Sequence, residues 1–419
     1  MNTVERNKTS PAVFGSRMLS SLKNPSYRLY FFGTIAHFAA MSMQIISSPL
    51  LIYRLTDSPA LLGTMSLVSA APMIAISVFG GAFADRMQKK KILIAGLLGS
   101  AIVSLGIGLA LATGSLNREN SDSWWILIIA SFIQGIIMGL MMPALQAIIP
   151  EIVNRDQLMN AIAMNTLGMN VLNLSAPIVA GFMIDYFDFK AVYFTMSVLY
   201  ITAAFFILLL PVKSRIISSG RNILADISQG FRYIRKDSLI IFILAFTLIV
   251  VVLSMPYQQL MPIFVDDILK VGAKGMGTLM GAAGLGAFIG SIILAALPNK
   301  KRGFMLLGSG ILAGITLTVF SFSSQWILSL AVLFFIGLAQ TFRMTIGSAL
   351  LQACTQDIYM GRVMSILNMQ WGFMSVCTFL AGILAEVVPV QWVLGSLAIL
   401  LSILSLLSLI FFSSIRKID

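Results

Sequence analysis

Two cysteines, one histidine and 11% charged residues leave this 419-residue chain short of most enzyme chemistry. Cys354 and Cys377 both fall in or near long apolar runs, and no loop carries a cysteine pair. A disulfide-stapled fold is therefore excluded. One histidine and no Cys/His cluster leave nothing to hold a zinc-like ion, so no metal is expected. No Walker loop is present. The glycine-rich stretch Gly281-Ala-Ala-Gly284-Leu-Gly286-Ala-Phe-Ile-Gly290 lies inside an apolar run. Its small-xxx-small spacing suits close helix packing better than dinucleotide binding. The chain is read as a non-enzyme without a cofactor. The first 25 residues are polar and basic and lack the apolar centre of a cleavable signal.

What the chain has is hydrophobic length. It is 58% hydrophobic with a mean hydropathy of +0.93, whereas a soluble domain carries about 25% charged residues. A membrane-crossing helix needs about 20 apolar residues. Twelve candidates occur, near 30–52, 60–83, 92–113, 124–149, 159–184, 190–210, 239–263, 275–297, 304–322, 327–350, 363–385 and 391–413. They do not alternate every second residue, so helices are expected and not barrel strands. The fold class is all-α integral membrane, with the lipid bilayer as its surroundings.

Charge then sets topology. The chain holds 28 Lys and Arg against 16 Asp and Glu. With the N-terminus placed in the cytoplasm, 22 basic residues fall inside and five outside, and Arg343 lies within a span. The positive-inside rule thus puts both termini in the cytoplasm of a multi-pass inner-membrane protein. Because the basic residues track alternate loops, no basic surface is left for nucleic acid. The expected organisation is a cytoplasmic segment (1–29), a six-helix bundle (30–210), a cytoplasmic central loop (211–238), a second bundle (239–413) and a tail (414–419). A single chain is the expected working unit.

The two bundles echo one another. A slide of 214 places Gly63-Thr64 on Gly277-Thr278, Asp85 on Asn299 and Arg86 on Lys300. Gln134 and Gln146 are 12 apart, as are Gln340 and Gln352. Repeated halves are how many carriers build alternating access around a central site.

The segment Gly81-Ala-Phe-Ala-Asp85-Arg86-Met-Gln88-Lys89-Lys90 resembles the loop signature G-x-L-A-D-R-x-G-R-K of the major facilitator superfamily. Gln88 and Lys89 depart from it. The resemblance covers nearly the whole chain. It implies twelve helices in two pseudo-symmetric bundles, and a conformational role for Gly81, Asp85, Arg86, Lys89 and Lys90. A plainer reading leaves the cations as topology charges. A second stretch runs from Gly168 to Gly181 and carries Asn170, Asn173 and Pro177. It is similar to the antiporter signature ending G-P-x-x-G-G, with Ala176 and Ala180 in place of two glycines. Asn170, Asn173, Pro177 and Gly181 share one broad helical face. The resemblance implies an exporter of the macrolide-efflux and siderophore-export branch, and proton coupling comes with it. No carboxylate lies deep in any expected span, and Ser131 stands where many proton-coupled exporters carry Arg.

In that fold helices 1, 4, 7 and 10 line the cavity. Helical spacing groups His37, Met41, Gln44 and Ser48 on the first, and Gln134, Met138 and Met141 on the fourth. Tyr257 and Gln258 sit beside Pro256 on the seventh, and Gln340, Arg343 and Met344 on the tenth. Polar groups in lipid are costly and should face the interior. Each glutamine or methionine has interhelical packing as an alternative role. Arg343 has no acid at its depth. A substrate anion, backbone carbonyls, cavity water or snorkelling to the cytoplasm would each satisfy it. His37 is the one side chain in the spans that ordinarily titrates near neutrality, so a proton relay and a packed histidine both stand.

These features point to a secondary transporter that exports small amphipathic molecules. Two rivals remain: an importer of a small anionic nutrient anchored by Arg343, and a non-transporting membrane receptor or scaffold.

Overall fold

The computed structural model describes residues 20–86, 88–120, 122–154, 157–211, 232–235, 237–297, 300–412 and 416. Within that set, side chains at 20, 77–86, 146, 357 and 358 lie outside the description. The described residues fold almost wholly as helices. We number the membrane-length helices α1 to α12.

Helix α1, Pro25–Thr56, shows how local sequence sets the bounds. Asn24 caps its start, accepting from the Ser26 and Tyr27 amides at 2.9 and 3.4 Å, and Pro25 supplies a preset φ. Asp57 ends it in the left-handed conformation. Helices α2 (Pro59–Arg86), α3 (Lys89–Ala112) and α4 (Trp125–Ile152) follow. Leu158–Leu208 is 51 residues long, about 75 Å at 1.5 Å per residue. That is about two and a half times the roughly 30 Å of a bilayer core. Asp188, at φ 73°, breaks it. The arm before the break is α5 (158–187) and the arm after it is α6 (189–208).

The second half begins with α7, Ser238–Ile268, which bends at Pro256 and ends in a π-helical turn. Asp237 caps it, accepting from the Leu239 amide at 2.9 Å. Then come α8 (Gly272–Ala296), α9 (Arg302–Phe322) and α10 (Trp326–Cys354). Helix α11, Tyr359–Val387, is broken at Met369, and α12 spans Val390–Phe411. The foot of α1 is pinned to its neighbours by side chains. Tyr27 donates to the Ala161 carbonyl at 2.7 Å and Tyr30 to that of Leu145 at 3.0 Å.

The apolar packing is not uniform with depth. One cluster runs through α1–α6 and continues into the second half through Tyr257, Leu260, Phe264, Ala273, Phe320 and Ala381. A separate cluster holds Ile240, Phe246, Leu307, Ile346 and Leu351. The halves thus share one core near the face that carries the 56–59 and 269–272 turns. Towards the opposite face, which bears the basic loops, the second half keeps a core of its own.

Candidate functional site

At the shared-core face the two halves are tied by polar side chains. Tyr53 on α1 donates to the carboxylate of Asp267 on α7. Arg54 gives Asp266 a forked pair, Nε at 2.8 Å and Nη2 at 3.0 Å. Asp185, at the end of α5, accepts from the first amides of α8, Ala273 at 3.3 Å and Lys274 at 2.8 Å. Glu386, at the end of α11, accepts from the Ala60 amide at 3.0 Å and from the Ser58 hydroxyl, at the start of α2. Two carboxylates therefore cap helix N-termini across the bundle boundary, where amide donors and the helix dipole both favour an anion. Outside these ties lies a cavity of about 370 Å³ walled by Tyr53, Asp57, Asp267, Glu386 and Gln391.

Below the carboxylates the backbones touch. A Cβ on Gly181 would lie 2.4 Å from the Ala273 carbonyl oxygen, and one on Gly277 2.6 Å from that of Pro177. A Cβ on Gly382 would lie 2.6 Å from the Pro59 carbonyl oxygen, and one on Gly63 2.8 Å from the Phe379 Cα. Pro177 and Gly181 of the antiporter-like motif thus form the α5–α8 seam. Asn173 accepts from the Ser42 hydroxyl of α1 at 3.0 Å. Asn170 is half-buried one turn further along.

The structure divides the expected cavity residues between two separate polar clusters. In the first half, Gln134 donates to the Ser100 hydroxyl at 3.2 Å, and Tyr200 donates to Gln44 at 3.3 Å. The His37 ring lies 5.9 Å from that of Tyr200. Both of its nitrogens are buried without a hydrogen-bond partner. Met41 and Met138 are half-buried beside this cluster in sequence. In the second half, Arg343 is 2% exposed. It donates from Nε to Gln340 at 3.0 Å and from Nη1 to Gln370 at 3.5 Å. Gln340 in turn donates to Ser254 at 2.8 Å. No ion pair among the described residues involves Arg343. Gln258 reaches only its neighbour, the buried Tyr257, at 3.4 Å. The mirrored glutamines, Gln134 and Gln340, thus each serve a serine of their own bundle.

Of the loop signature, Lys89 pairs with Glu151 at 2.5 Å, and Lys90 donates to the Leu210 carbonyl at 2.7 Å. These contacts bind the foot of α3 to the ends of α4 and α6. The side chains of Asp85 and Arg86 and the surroundings of Gly81 lie outside the described set, although the backbone of all three ends α2 as helix.

Sequence reasoning missed Gln370, Ser254, Tyr200 and the whole carboxylate seam. A signal for the seam exists in a second offset. Pro177, Gly181 and Asp185 fall 201 positions before Thr378, Gly382 and Glu386. The 214 offset likewise pairs Tyr53 with Asp267 and Pro59 with Ala273.

Comparison with known proteins places this architecture. The family model described as Major Facilitator Superfamily matches residues 30–378. The enterobactin exporter EntS of Shigella dysenteriae serotype 1 (strain Sd197) is 24% identical over 356 residues, 82% of each chain. Macrolide efflux protein A of Streptococcus pyogenes is 23% identical over 396 residues, 91% of this chain and 96% of its own. Among solved structures, a POT family transporter in complex with 5-aminolevulinic acid superposes with a TM-score of 0.75 at 12% identity, covering 93% and 96% of the chains. An inward-facing, unoccupied bacterial homolog of the human lysosomal transporter Spinster does so at 0.65 and 14%, covering 96% and 95%.

Proposed function

The chain belongs to the Major Facilitator Superfamily, and we propose that it exports small amphipathic molecules by alternating access, driven by a proton gradient. It is a multi-pass membrane transporter and not an enzyme. One observation carries the proposal. The core and the polar ties join the bundles at one face, and that face carries few basic residues. By the positive-inside rule it is the outer face. The conformation is then shut to the outside, one of the two states that alternating access requires, and the one in which an exporter would load.

The relatives named for enterobactin export and macrolide efflux support the direction and an amphipathic cargo. Arg343, with Gln340 and Gln370, is assigned to hold a polar or anionic group of the substrate. The guanidinium is satisfied here only by neutral amides, and a buried cation gains most from an anion. Asp85, with Gly81, Arg86, Lys89 and Lys90, is assigned to bias the two access states.

Inverted membrane vesicles test the direction. Energised vesicles containing the protein should accumulate enterobactin or a macrolide, and a protonophore should abolish the accumulation. Uptake of either compound by right-side-out cells, with none by inverted vesicles, would overturn the export reading.

A further inference from the structure

We propose that His37 is the residue that takes up and releases the coupling proton; this rests on the proton-driven reading above. The chain has a single histidine. The structure buries it to 1% exposure in the middle of α1 and leaves both ring nitrogens without a partner. That is rare, because a neutral imidazole carries one donor and one acceptor and buried polar atoms are nearly always paired. The neighbouring groups do not fill the need. The rings of Phe38 and Tyr200 stand 5.4 and 5.9 Å from it, centroid to centroid. The Tyr200 hydroxyl is already turned to Gln44.

The groups facing this part of α1 are otherwise neutral. From α6 the titratable one is Tyr200. On α5 they are Asn165 and Asn173, which meet Thr34 and Ser42. On α4 it is Gln134, whose amide donates to Ser100 of α3. Charged residues of α1 to α6 occur only towards helix ends: Arg28, Arg54, Asp85, Arg86, Lys89, Lys90, Lys91, Glu151, Asp185, Asp188 and Lys190. An imidazolium at His37 would thus have neither a carboxylate nor an acceptor, and an uncompensated buried charge is strongly disfavoured. The conformation shut at the Asp185/Glu386 face therefore holds the neutral ring. A conformation that admits water or an acceptor to either nitrogen binds the proton more tightly. Proton binding and the shut face oppose one another, and linkage makes the effect reciprocal.

Other candidates fit less well. Arg343 does not release a proton in the working pH range. Asp185, Asp266, Asp267 and Glu386 sit at helix ends and are engaged across the seam. Among the described residues, His37 is an ionisable side chain at mid-span whose polar atoms are both buried and unpaired.

Because the histidine is unique, the test is direct. The full chain, purified with a histidine-free tag, is labelled with isotopic histidine and gives one imidazole signal. In wild type that ring should stay neutral while the face is shut. It should become protonated, within the range where imidazoles titrate, when Asp185→Asn and Glu386→Gln release the face. In parallel, spin labels at Lys190 and Lys270 report opening of the face between pH 5.5 and 8.5, in a background lacking both cysteines. Wild type should open as the pH falls, and His37→Gln should be insensitive at unchanged thermal stability. If His37→Gln opens like wild type, or the ring never titrates in the released form, the assignment falls while proton coupling survives. If wild type itself ignores pH and an imposed pH gradient drives no flux, the proton-driven reading fails and takes this proposal with it.

Discussion

The two halves of the molecule agree where they meet and differ where they are buried. At the seam, α5 against α8 and α11 against α2 use the same parts in the same order. Each has a glycine with no room for a Cβ and, four residues on, a carboxylate that caps the opposing helix. Inside the bundles the match is lost. On the 214 offset His37 falls on Val251, and on the 206 offset of the glutamines Arg343 falls on Ile137. His37 and Arg343 thus each stand where the other half has an aliphatic residue. On the proposed function, symmetry belongs to the device that opens and closes, and asymmetry to the groups assigned to the proton and the cargo.

The largest effect is expected from crowding the seam. Gly181→Val and Gly382→Val each push a branched side chain against backbone that cannot yield. Overpacking of this kind costs about 1–3 kcal/mol, enough to shift a balanced equilibrium about 5- to 150-fold. Both should lose most transport, by matched amounts, at normal membrane abundance. A large loss in one with none in the other would break the symmetry.

Next comes the asymmetric cation. Arg343→Ala should weaken substrate affinity by about tenfold or more, equal to about 1.4 kcal/mol, and Ile137→Ala should not. Arg343→Lys keeps the charge but loses the planar fork, so it should fall between wild type and alanine. Binding titrations on purified protein decide this, and unchanged affinity in both Arg343 variants would remove it from the binding site.

Releasing the caps singly should act more gently. Asp185→Asn and Glu386→Gln each keep shape and remove a charge whose dipole interaction is worth about 0.3–1 kcal/mol. Each should open the Asp185/Glu386 face a few-fold and the pair roughly additively, as read from spin-label distances. The smallest effect is expected inside the first bundle. Tyr200→Phe removes one hydroxyl hydrogen bond to Gln44, worth about 1 kcal/mol. It should lower the melting temperature by only a few degrees and leave affinity unchanged.

These contrasts show what the sequence made visible. Long apolar runs and loop charge are read directly, because lipid admits only helices and the loops carry the topology signal. The break near Asp188 is read as well, because Asp185, Asp188 and Lys190 interrupt the apolar run between 184 and 190; the left-handed backbone that makes it, φ 73°, is not. The glutamine repeat at Gln134 and Gln340 was visible, but not the serines that absorb them, since hydroxyls on neighbouring helices have no fixed spacing from their partners. The carboxylates at 185, 266, 267 and 386 read as helix-end charges. Their role needs the three-dimensional fact that each helix end faces another bundle.

Alternating access makes one demand that no static role for these residues shares: opening one face must close the other. Spin-label pairs at Lys190 and Lys270 on the Asp185/Glu386 face, and at Asn154 and Gln356 on the basic face, measure both in one preparation, with Cys354→Ser and Cys377→Ser as background. Releasing the seam with Asp185→Asn and Glu386→Gln should lengthen the first distance and shorten the second. Lengthening of the first with no change in the second, or movement of both in the same direction, would contradict the account.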